Sequence, residues 1–381
     1  MHKTILITGG AGFIGQHLSR KLVTEGYLVK VLDSFSSQVH GDSKDLPDDL
    51  KSHVELIRAD IRDRDAVRLA LKNVDSIVHL AAETGTGQSM YEIERYYSVN
   101  VQGTAVLLDV LQNDITLSGK VESITVASSR AVYGEGAYLC RDHGLIYPDQ
   151  RNDERLINGC FDPYCPTCGN VLLPTVTSES APFKPMSVYG LTKQVQEQAV
   201  LMYARTQGIN AFGLRYQNVY GPGQSLQNPY TGILAVFSNL ARKNKTIEIY
   251  EDGVESRDFV YIDDVIDATY RSIAYSEKFI GAMNVGSGIS TSVMTVAEEV
   301  KKFFDSKSSL LVTGAYRSGD IRHNFADIKM GSSLFGYEPR ISFAKGLQQF
   351  LTWASGQLVS NNELYKKSVD ELISKGLMRG G

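Results

Sequence analysis

Residues 4–15 read TILITGGAGFIG, an apolar run that leads directly into a glycine-rich turn. The run is typical of a buried strand, and the residues after it open a predicted helix. The glycines keep the spacing G-x-x-G-x-x-G. Glycine permits the tight turn and lets the backbone approach a pyrophosphate, which the N–H groups at the helix N-terminus bind. We therefore predict a dinucleotide-binding unit whose cofactor contacts are Gly9, Gly12, Phe13, Ile14 and Gly15.

The alternation of strand and helix continues through the first 130 residues. Short apolar runs predict strands at Ile5–Thr8, Leu28–Leu32, Val54–Ile57, Ser76–Leu80 and Ser123–Ala127. Helical patterns lie between them at Gln16–Glu25, Arg64–Leu71 and Val101–Gln112. Strands that alternate with helices imply a parallel sheet covered on both faces. The predicted fold is therefore α/β, a Rossmann-type doubly wound parallel sheet.

Residues 135–178 interrupt this alternation with cysteines, prolines and polar turns, so we predict an inserted lobe there. Regular structure resumes with a predicted helix over Ser187–Gln207, and a smaller α/β lobe follows. We expect an NAD-binding domain over residues 1–216, which includes the insert. Residues 217–381 would form mainly the substrate-binding lobe, with some segments returning to the first domain.

Composition sets limits on the partners. The chain has 381 residues and a formal net charge of −4, which gives no case for a nucleic-acid partner or an anionic membrane surface. No apolar run approaches the ~18 residues of a spanning helix. The first predicted strand begins so early that it leaves no room for a signal peptide. We therefore expect a cytoplasmic protein without a membrane partner.

Two aspartates follow predicted strands at one edge of the sheet. Asp33 ends the second strand, where a carboxylate accepts both ribose hydroxyls of NAD and repels the 2′-phosphate of NADP. The next four residues, Ser-Phe-Ser-Ser, supply no arginine for that phosphate. Asp60, followed by Ile61, ends the third strand and could reach the adenine edge. The alternative is that both aspartates only cap loops. From Asp33 and the absence of an arginine after it, we predict that the cofactor is NAD.

A tyrosine and a lysine lie four positions apart on the predicted helix over Ser187–Gln207. Tyr189 and Lys193 therefore share one helix face. A nearby ammonium and a positive nicotinamide ring would favour the phenolate and lower the pKa of Tyr189, which makes it a candidate base. Such a pair is common on surfaces, but Ser129 ends the fifth strand at the edge where ligands bind. A hydroxyl there can hydrogen-bond a reacting sugar oxygen.

These motifs, with Val132-Tyr133-Gly134, the LRYQNVYGPG run at 214–223 and the RDFVYIDD run at 257–264, resemble the extended short-chain dehydrogenase/reductase family. The resemblance covers roughly residues 3–350. It implies a nucleotide-sugar epimerase, dehydratase or decarboxylase with resident NAD, a nucleoside-diphosphate sugar as substrate and a homodimer built through helices Val101–Gln112 and Ser187–Gln207.

The resemblance also implies roles for particular residues. Ser129 would be the catalytic hydroxyl, Tyr189 the base and Lys193 its partner. Substrate contacts would come from Ser129, Arg130, Asn218, Arg257, Arg317 and Asp320. Arginine suits a diphosphate because it donates two parallel hydrogen bonds. The alternative for Arg317 is a solvated surface arginine.

One departure from the family pattern bears on the reaction. Relatives that eliminate water place Asp-Glu directly after the catalytic hydroxyl, and those acids carry out the elimination. Arg130 and Ala131 occupy these positions here. We therefore expect no dehydratase activity.

All four cysteines lie between positions 140 and 168. Cys165 and Cys168 form a C-P-x-C-G turn, and Cys140 and His143 repeat the same spacing. Three thiolates and an imidazole suit a closed, structural tetrahedral zinc site, whose binding energy would fold a loop with little core of its own. Cys160 could replace His143. The turn could instead hold a redox pair, or the cysteines could simply be buried without a ligand.

The insert, followed by Ser187-Val188-Tyr189, resembles more narrowly the dTDP-L-rhamnose 4-epimerases, and residues 228–232 (NPYTG) fit that group. We expect inversion at C4 of a dTDP-6-deoxyhexose such as dTDP-L-rhamnose, through a transient 4-keto sugar. The alternatives are a UDP-sugar 4-epimerase, a decarboxylase or reductase of the same family, and an NAD-sensing scaffold with a zinc docking lobe.

Overall fold

The computed structural model describes residues 3–226, 228, 232–359 and 363–380. The strands are β1 (Thr4–Thr8), β2 (Leu28–Asp33), β3 (Val54–Arg58), β4 (Ser76–His79), β5 (Ser123–Ser129), β6 (Tyr138–Cys140), β7 (Gly144–Ile146), β8 (Leu173–Pro174), β9 (Asn210–Tyr216), β10 (Asn218–Tyr220), β11 (Ile247–Ile249), β12 (Ser256–Tyr261), β13 (Ile280–Val285), β14 (Ser290–Ser292), β15 (Leu310–Val312), β16 (Tyr316–Arg317), β17 (His323–Asn324) and β18 (Met378–Arg379).

The α-helices are α1 (Phe13–Thr24), α2 (Ser37–His40), α3 (Asp48–Lys51), α4 (Arg64–Ala70), α5 (Thr86–Ser89), α6 (Ile93–Tyr96), α7 (Gly103–Asn113), α8 (Ile115–Ser118), α9 (Asp153–Ile157), α10 (Val188–Gln207), α11 (Ile233–Arg242), α12 (Ile262–Ala274), α13 (Val293–Phe303), α14 (Lys329–Phe335), α15 (Phe343–Ser355) and α16 (Glu363–Ser374). A π-helical stretch (Tyr97–Gln102) precedes α7, and a 3₁₀ turn (Arg130–Tyr133) follows β5.

Seven parallel strands form the central sheet, in the order β13-β9-β5-β4-β1-β2-β3. Side chains alternate between its faces, as a strand's period of two requires. Ile5 and Ile7 pack into the apolar cluster that includes α1 and α12, whereas Leu6 packs into the cluster of α4, α7 and α10. The predicted Rossmann-type sheet is therefore confirmed.

The strand order reverses between β1 and β4, because β2 and β3 lie on one side of β1 and the later strands on the other. Ligands of such sheets bind at this switch point, outside the carboxyl ends of the strands. All five predicted strands are present. The fifth runs to Ser129, two residues beyond its predicted end, and thereby carries the serine to that edge.

The helix predicted before residue 113 and the third strand also differ from their predicted bounds. The helix predicted over Val101–Gln112 begins as the π-helical stretch, and α7 starts only at Gly103. The third strand ends at Arg58, so Asp60 lies in the loop beyond it rather than at the strand end.

The second half of the chain builds a smaller set of strands and helices and also returns to the central sheet. Strands β10, β12, β14 and β17 form one small sheet, and β11 pairs with β15. In contrast, β9 and β13 belong to the central sheet. One apolar cluster includes both Ile5 of β1 and Phe350 of α15, so the core is continuous between the two halves.

The insert (residues 135–178) contains the small sheet β7-β6-β8 and the short helix α9. Its apolar cluster is small: Tyr138, Cys140, Cys165 and Leu172 are buried together, with Ile146 against them. A core of this size supplies little stabilisation by itself. Further support comes from a buried ion pair between Arg151 of the insert and Glu251 of the second half of the chain. Among the described residues, no helix combines the length and apolar character needed to cross a membrane.

Candidate active site

The glycine-rich turn after β1 has the close backbone contacts that its sequence predicts. Gly9 has φ +70°, and a Cβ added there would lie 2.7 Å from the backbone nitrogen of Ala81. A Cβ on Gly15 would lie 2.5 Å from the Cα of Gly10. Gly12 is the N-cap of α1 and has no side chain to occupy the helix N-terminus. The backbone N–H groups there remain accessible to a diphosphate.

Asp33 is buried at the end of β2 and faces the same turn. Its carboxylate accepts hydrogen bonds from the N–H groups of Ala11 (3.0 Å) and Phe35 (2.8 Å). His40 Nε2 lies 3.5 Å away, a neighbour that the sequence did not reveal. Because each carboxylate oxygen has two lone pairs, Asp33 retains acceptor capacity for ribose hydroxyls.

Arg58 lies opposite Asp33 in the β2–β3 pair, although no arginine follows Asp33 in sequence. The Arg58 guanidinium pairs with Asp45 at 3.2 Å. Asp60 is held by Arg62 through two hydrogen bonds of 2.6 and 2.8 Å, and this partner lowers the pKa of Asp60. The basic groups beside the predicted adenosine site therefore already have carboxylate partners.

The predicted cofactor residues come together around one cavity of about 770 Å³, a size typical of small-molecule sites. Ser129 and Asn218 line this cavity. So do all the predicted cofactor residues, which are Gly9, Gly12, Phe13, Ile14, Gly15, Asp33, Asp60, Ile61, Tyr189 and Lys193. The cavity does not border Arg130, Arg257, Arg317 or Asp320.

Ser129, Tyr189 and Lys193 meet at one end of the cavity. The Ser129 and Tyr189 side chains both line this end of the cavity, and the Ser129 hydroxyl acts to lower the Tyr189 pKa. Lys193 Nζ donates to the carbonyl of Ala127 at 2.9 Å and lies 6.0 Å from the centre of the Tyr189 ring. Gly190 makes this approach possible, since a Cβ there would lie 2.5 Å from the carbonyl oxygen of Ala131. The helix α10 can therefore pack directly against the turn after Ser129.

Burial sets the acid–base balance of this group in the protein alone. Burial raises the pKa of Tyr189, although the hydrogen bond with Ser129 and the charge of Arg130 oppose the effect. Burial also lowers the pKa of Lys193 to about 7, which weakens that ammonium as a partner for the phenolate. In the protein alone, burial outweighs the effects of Ser129 and Arg130, and Lys193 is not among the groups that lower the Tyr189 pKa. That the Lys193 ammonium and a bound nicotinamide together favour the phenolate stays a prediction.

Two supporting residues escaped the sequence prediction. Asn100, in the π-helical stretch, accepts from the N–H of Glu83 (2.7 Å) and donates to Thr192 Oγ1 (2.9 Å), which joins this stretch to α10. His79 is fully buried between Thr8 and Thr104, and burial lowers its pKa to about 3. Only a π-helical interruption, which no sequence period indicates, brings Asn100 to this position.

The predicted substrate residues form an arginine cluster, defined as Arg130, Arg257 and Arg317 with Asp320. Arg130 Nε donates to Asn218 at 2.7 Å, and Arg257 Nη2 donates to Asp320 at 3.0 Å. Burial lowers the pKa of Arg130 to about 10, and the charge of Arg257 adds to the effect. Burial alone would raise the pKa of Asp320, but the charges of Arg257 and Arg317 outweigh this effect. The pKa of Asp320 is therefore lowered, and the carboxylate stays ionised.

This cluster contains three arginine side chains and one carboxylate, and two of the arginine nitrogens have no hydrogen-bond acceptor among the described residues. Arg130 Nη1 and Arg317 Nε are inaccessible to solvent and have no hydrogen-bond partner in the part of the chain that the structure describes. A buried unpaired donor of a charged group is costly. The cluster is therefore electrostatically suited to an anion with several oxygens.

The C-terminal segment borders this cluster. Strand β18 pairs antiparallel with β16, which carries Arg317. The Arg317 guanidinium lies 4.8 Å from the centre of the Tyr250 ring, and the Tyr250 hydroxyl bonds that of Tyr365 on α16 at 2.9 Å. Arg317 is thus a packed residue rather than a solvated one. No sequence pattern indicates that this segment lies beside Arg317.

The ligand atoms of Cys140, His143, Cys165 and Cys168 all lie within 4.8 Å of one another. Cys140 Sγ is 3.5 Å from His143 Nδ1 and 3.6 Å from Cys168 Sγ, and Cys165 Sγ is 3.6 Å from His143 Nδ1. A disulfide would need ~2.05 Å between sulfurs. Cys160 is exposed and outside this group, so the structure favours His143 over Cys160 as the fourth member.

The fold and the cavity define a dinucleotide-binding protein of the Rossmann type. The model of the NAD dependent epimerase/dehydratase family matches residues 5–150 and 167–286. The chain is 40% identical over 363 residues to the dTDP-L-rhamnose 4-epimerase of Burkholderia thailandensis, covering 94% of this chain and 97% of that protein.

Solved structures agree with these sequence matches. MoeE5 in complex with UDP-glucuronic acid and NAD gives a TM-score of 0.73 at 27% identity, covering 93% of this chain and all of that one. The UDP-N-acetylglucosamine 4-epimerase from Methanobrevibacter ruminantium M1, in complex with UDP-N-acetylmuramic acid, gives 0.74 at 26% identity, covering 94% and 99%. The chain belongs to the NAD dependent epimerase/dehydratase family and is an enzyme. Both resemblances drawn from the sequence are confirmed.

Proposed function

We propose that the chain is an NAD-dependent nucleotide-sugar 4-epimerase, an isomerase that acts on a dTDP-6-deoxyhexose such as dTDP-L-rhamnose. One observation carries the proposal. Ser129 and Tyr189 together line the dinucleotide cavity, and Arg130, which follows Ser129, belongs to an arginine cluster with unpaired donors. The relative from Burkholderia thailandensis supports the choice of sugar.

The residues around the cavity fit NAD. The glycine turn leaves room for a diphosphate, and Asp33 retains acceptors for ribose hydroxyls. When bound there, NAD would supply a reversible hydride acceptor for C4 of the sugar. Lys193 would hold the nicotinamide ribose, and Asp60 and Ile61 would border the adenine. Residues 1–216 would form the NAD-binding domain and residues 217–381 mainly the substrate lobe.

Tyr189 would remove the proton of the 4-hydroxyl and return it when the configuration has been inverted. Ser129 would hold the reacting oxygen by a hydrogen bond. Because burial raises the Tyr189 pKa, the phenolate is disfavoured in the protein alone, and an additional positive charge in the cavity would favour it. The base is thereby kept protonated until the site is complete.

Arg257 and Arg317 would grip the diphosphate, while Arg130, Asn218 and Asp320 complete the substrate contacts. A grip at the diphosphate leaves the 4-keto sugar free to turn and present its other face. This cycle needs one proton-transfer group and no second acid pair. Arg130 and Ala131 stand where a dehydratase requires its acids, so water loss has no catalyst among these residues.

A structural zinc is the second part of the proposal. Tetrahedral bonds of ~2.3 Å to sulfur and ~2.0 Å to nitrogen would separate the ligand atoms by ~3.5–3.8 Å. Three of the six separations among the ligand atoms of Cys140, His143, Cys165 and Cys168 are 3.5 to 3.6 Å, and all six are within 4.8 Å. Four protein ligands leave no open position, so zinc would fold the insert rather than take part in the reaction.

Two further points remain proposals. A UDP-sugar 4-epimerase is the alternative activity, because two solved relatives hold UDP-linked ligands. A homodimer would form through the helices at residues 101–112 and 187–207, as the family resemblance implies. A panel of dTDP-, UDP- and GDP-sugars read by NMR separates the candidate nucleotides.

The reaction is tested with a substrate that carries deuterium at C4, converted in ordinary water. Retention of deuterium at C4 of the inverted product supports hydride transfer to and from the cofactor. Washout of deuterium into solvent would indicate inversion by proton exchange. Release of CO₂ or water would indicate a decarboxylase or a dehydratase, and each of these outcomes contradicts the proposal.

A further inference from the structure

The segment from Tyr316 to Asn324 carries two members of the arginine cluster and lies between β12 and the insert. Its strand β17 pairs in parallel with β12, so that Asn324 lies opposite Arg257. On its other side, Leu156 and Phe161 of the insert pack against the buried ring of Tyr316. The insert therefore forms one wall of the segment that presents Arg317 and Asp320.

Glu135, at the first position of the insert, is 1% exposed, and its carboxylate binds the backbone of the segment Tyr316–Asn324. Its Oε2 accepts from the N–H of Arg322 at 2.8 Å and from the hydroxyl of Tyr138 at 3.2 Å. Tyr138 in turn accepts from the N–H of His323 at 3.2 Å. Two consecutive peptide groups of the segment are thus fixed by side chains of the insert.

Arg151, also in the insert, makes a second attachment. Its Nε forms an ion pair with Glu135 at 3.0 Å. Its Nη2 donates to Glu251 at 2.7 Å and to the carbonyl of Asp320 at 3.0 Å, while Nη1 donates to the carbonyl of Phe161 at 3.0 Å. A guanidinium can reach four such acceptors at once because its five donors are held in a plane.

Glu135 and Arg151 hydrogen-bond the backbone of Arg322 and Asp320, the two residues of this segment that also bind Arg257. Its Nη1 donates to the carbonyl of Arg322 at 3.0 Å, and its Nη2 donates to the carboxylate of Asp320 at 3.0 Å. The residues that orient Arg257 are therefore those whose backbone Glu135 and Arg151 hold. The route from the insert to the arginine cluster consists of buried, charge-assisted hydrogen bonds, which are short and directional.

We propose that Glu135 and Arg151 are positioning residues for the nucleoside diphosphate of the substrate, and that the insert braces the substrate site through them. The inference rests on the proposed function, in which Arg257 grips the diphosphate. Neither Glu135 nor Arg151 lines the dinucleotide cavity. Loosening them should therefore weaken binding of the sugar nucleotide and leave bound NAD and the proton-transfer step largely intact.

The test uses Arg151→Lys, which keeps the positive charge but cannot reach four acceptors. Asp149→Asn is the matched control: it lies two positions away in the insert, and its only described ion pair, with Lys184, is at the surface. Calorimetry measures the Kd for dTDP and UDP, steady-state assays measure KM and kcat, and released NAD and metal are quantified for each purified protein. Tyr138→Phe serves as a milder second variant if Arg151→Lys does not fold.

We expect Kd and KM to rise by ~10–100-fold in Arg151→Lys, because a misdirected binding group loses that much of its effect. The kcat at saturating substrate, the NAD content and the metal content should stay within about twofold of the wild type, and Asp149→Asn should match the wild type throughout. Tyr138→Phe should change in the same direction by a smaller factor.

Four results overturn the inference. Unchanged Kd and KM in a folded Arg151→Lys protein would show that the insert does not position the cluster. An equal loss in Asp149→Asn, or a fall in kcat and NAD content without a rise in KM, would indicate a general effect on stability. Failure of the wild type itself to bind either nucleoside diphosphate would instead reject the proposed function, and the inference with it.

Discussion

Replacing Tyr189 by phenylalanine removes the proposed base and little else. The ring contact with Tyr96, at 6.5 Å between centres, and the hydrogen bond from the Tyr189 N–H to Ser89 (3.0 Å) do not involve the hydroxyl. The variant loses the hydroxyl that Ser129 influences and the proton transfer itself. We expect stability to change by ~1 kcal/mol or less.

Turnover should fall far more. A positioned general base contributes ~10²–10⁴-fold, equivalent to ~3–5 kcal/mol of transition-state stabilisation. KM for the sugar nucleotide should change little, because the arginine cluster lies outside the cavity that Tyr189 lines. The decrease should therefore be confined to kcat, which NMR can follow as conversion of the sugar anomeric signals.

The control is Tyr337→Phe. Tyr337 is a fully buried tyrosine whose hydroxyl donates to the carbonyl of Gly286 at 2.9 Å, away from the cavity. This variant should lose the stability that removal of a buried, hydrogen-bonded tyrosine hydroxyl usually costs, and its kcat should stay unchanged. Near-normal kcat in Tyr189→Phe, or an equal loss in both variants, would refute the assignment of Tyr189 as the base.

Three further predictions address the cofactor, the metal and the pH dependence. NAD should bind more tightly than NADP because Asp33 is buried beside the ribose position, and equilibrium binding that favours NADP would contradict this. Purified protein should contain one zinc per chain by elemental analysis, and Cys165→Ser should lose it while Cys160→Ser keeps it; an ordered insert without metal in the wild type would be the opposite result. Burial raises the pKa of Glu255 to about 7, so the folded state binds more protons than the unfolded state between its ordinary pKa and about 7, and stability falls as pH rises through that window. Glu255→Gln should therefore raise the free energy of unfolding by ~1–3 kcal/mol at pH 8 and by much less at pH 5, as denaturant titrations at both pH values can determine.

The central sheet was predictable because its information is local. Each strand is a short apolar run, and the glycine spacing at 9, 12 and 15 fixes both the turn and its ligand class. The positions of Asp33, Ser129 and Lys193 follow from the same pattern, since each lies at a known place on a strand or helix. Local pattern is therefore sufficient to identify these residues of the cavity lining.

The electrostatics could not be predicted in the same way. Whether Lys193 lowers the Tyr189 pKa depends on how deeply both groups are buried, and a sequence spacing of four does not contain that quantity. The π-helical stretch that brings Asn100 beside Thr192 has no sequence period. Glu135 and Arg151 pair with residues more than 90 positions away, on the second half of the chain, so no local pattern indicates them.

The same long-range contacts suggest why the insert lies where it does. It follows the strand that carries Ser129 and precedes the helix that carries Tyr189, so its two ends lie beside the proposed catalytic pair. Between those ends it reaches the segment that holds Arg317 and Asp320. An insert joined to Ser129 and Tyr189 at its ends and packed against the segment of Arg317 and Asp320 would fix the distance between the proton-transfer residues and the arginine cluster. An epimerase must hold that distance while the sugar turns, because both half-reactions place C4 against the same base. The proposed cysteine–histidine centre, which stiffens the insert, would then act on substrate binding without touching the substrate.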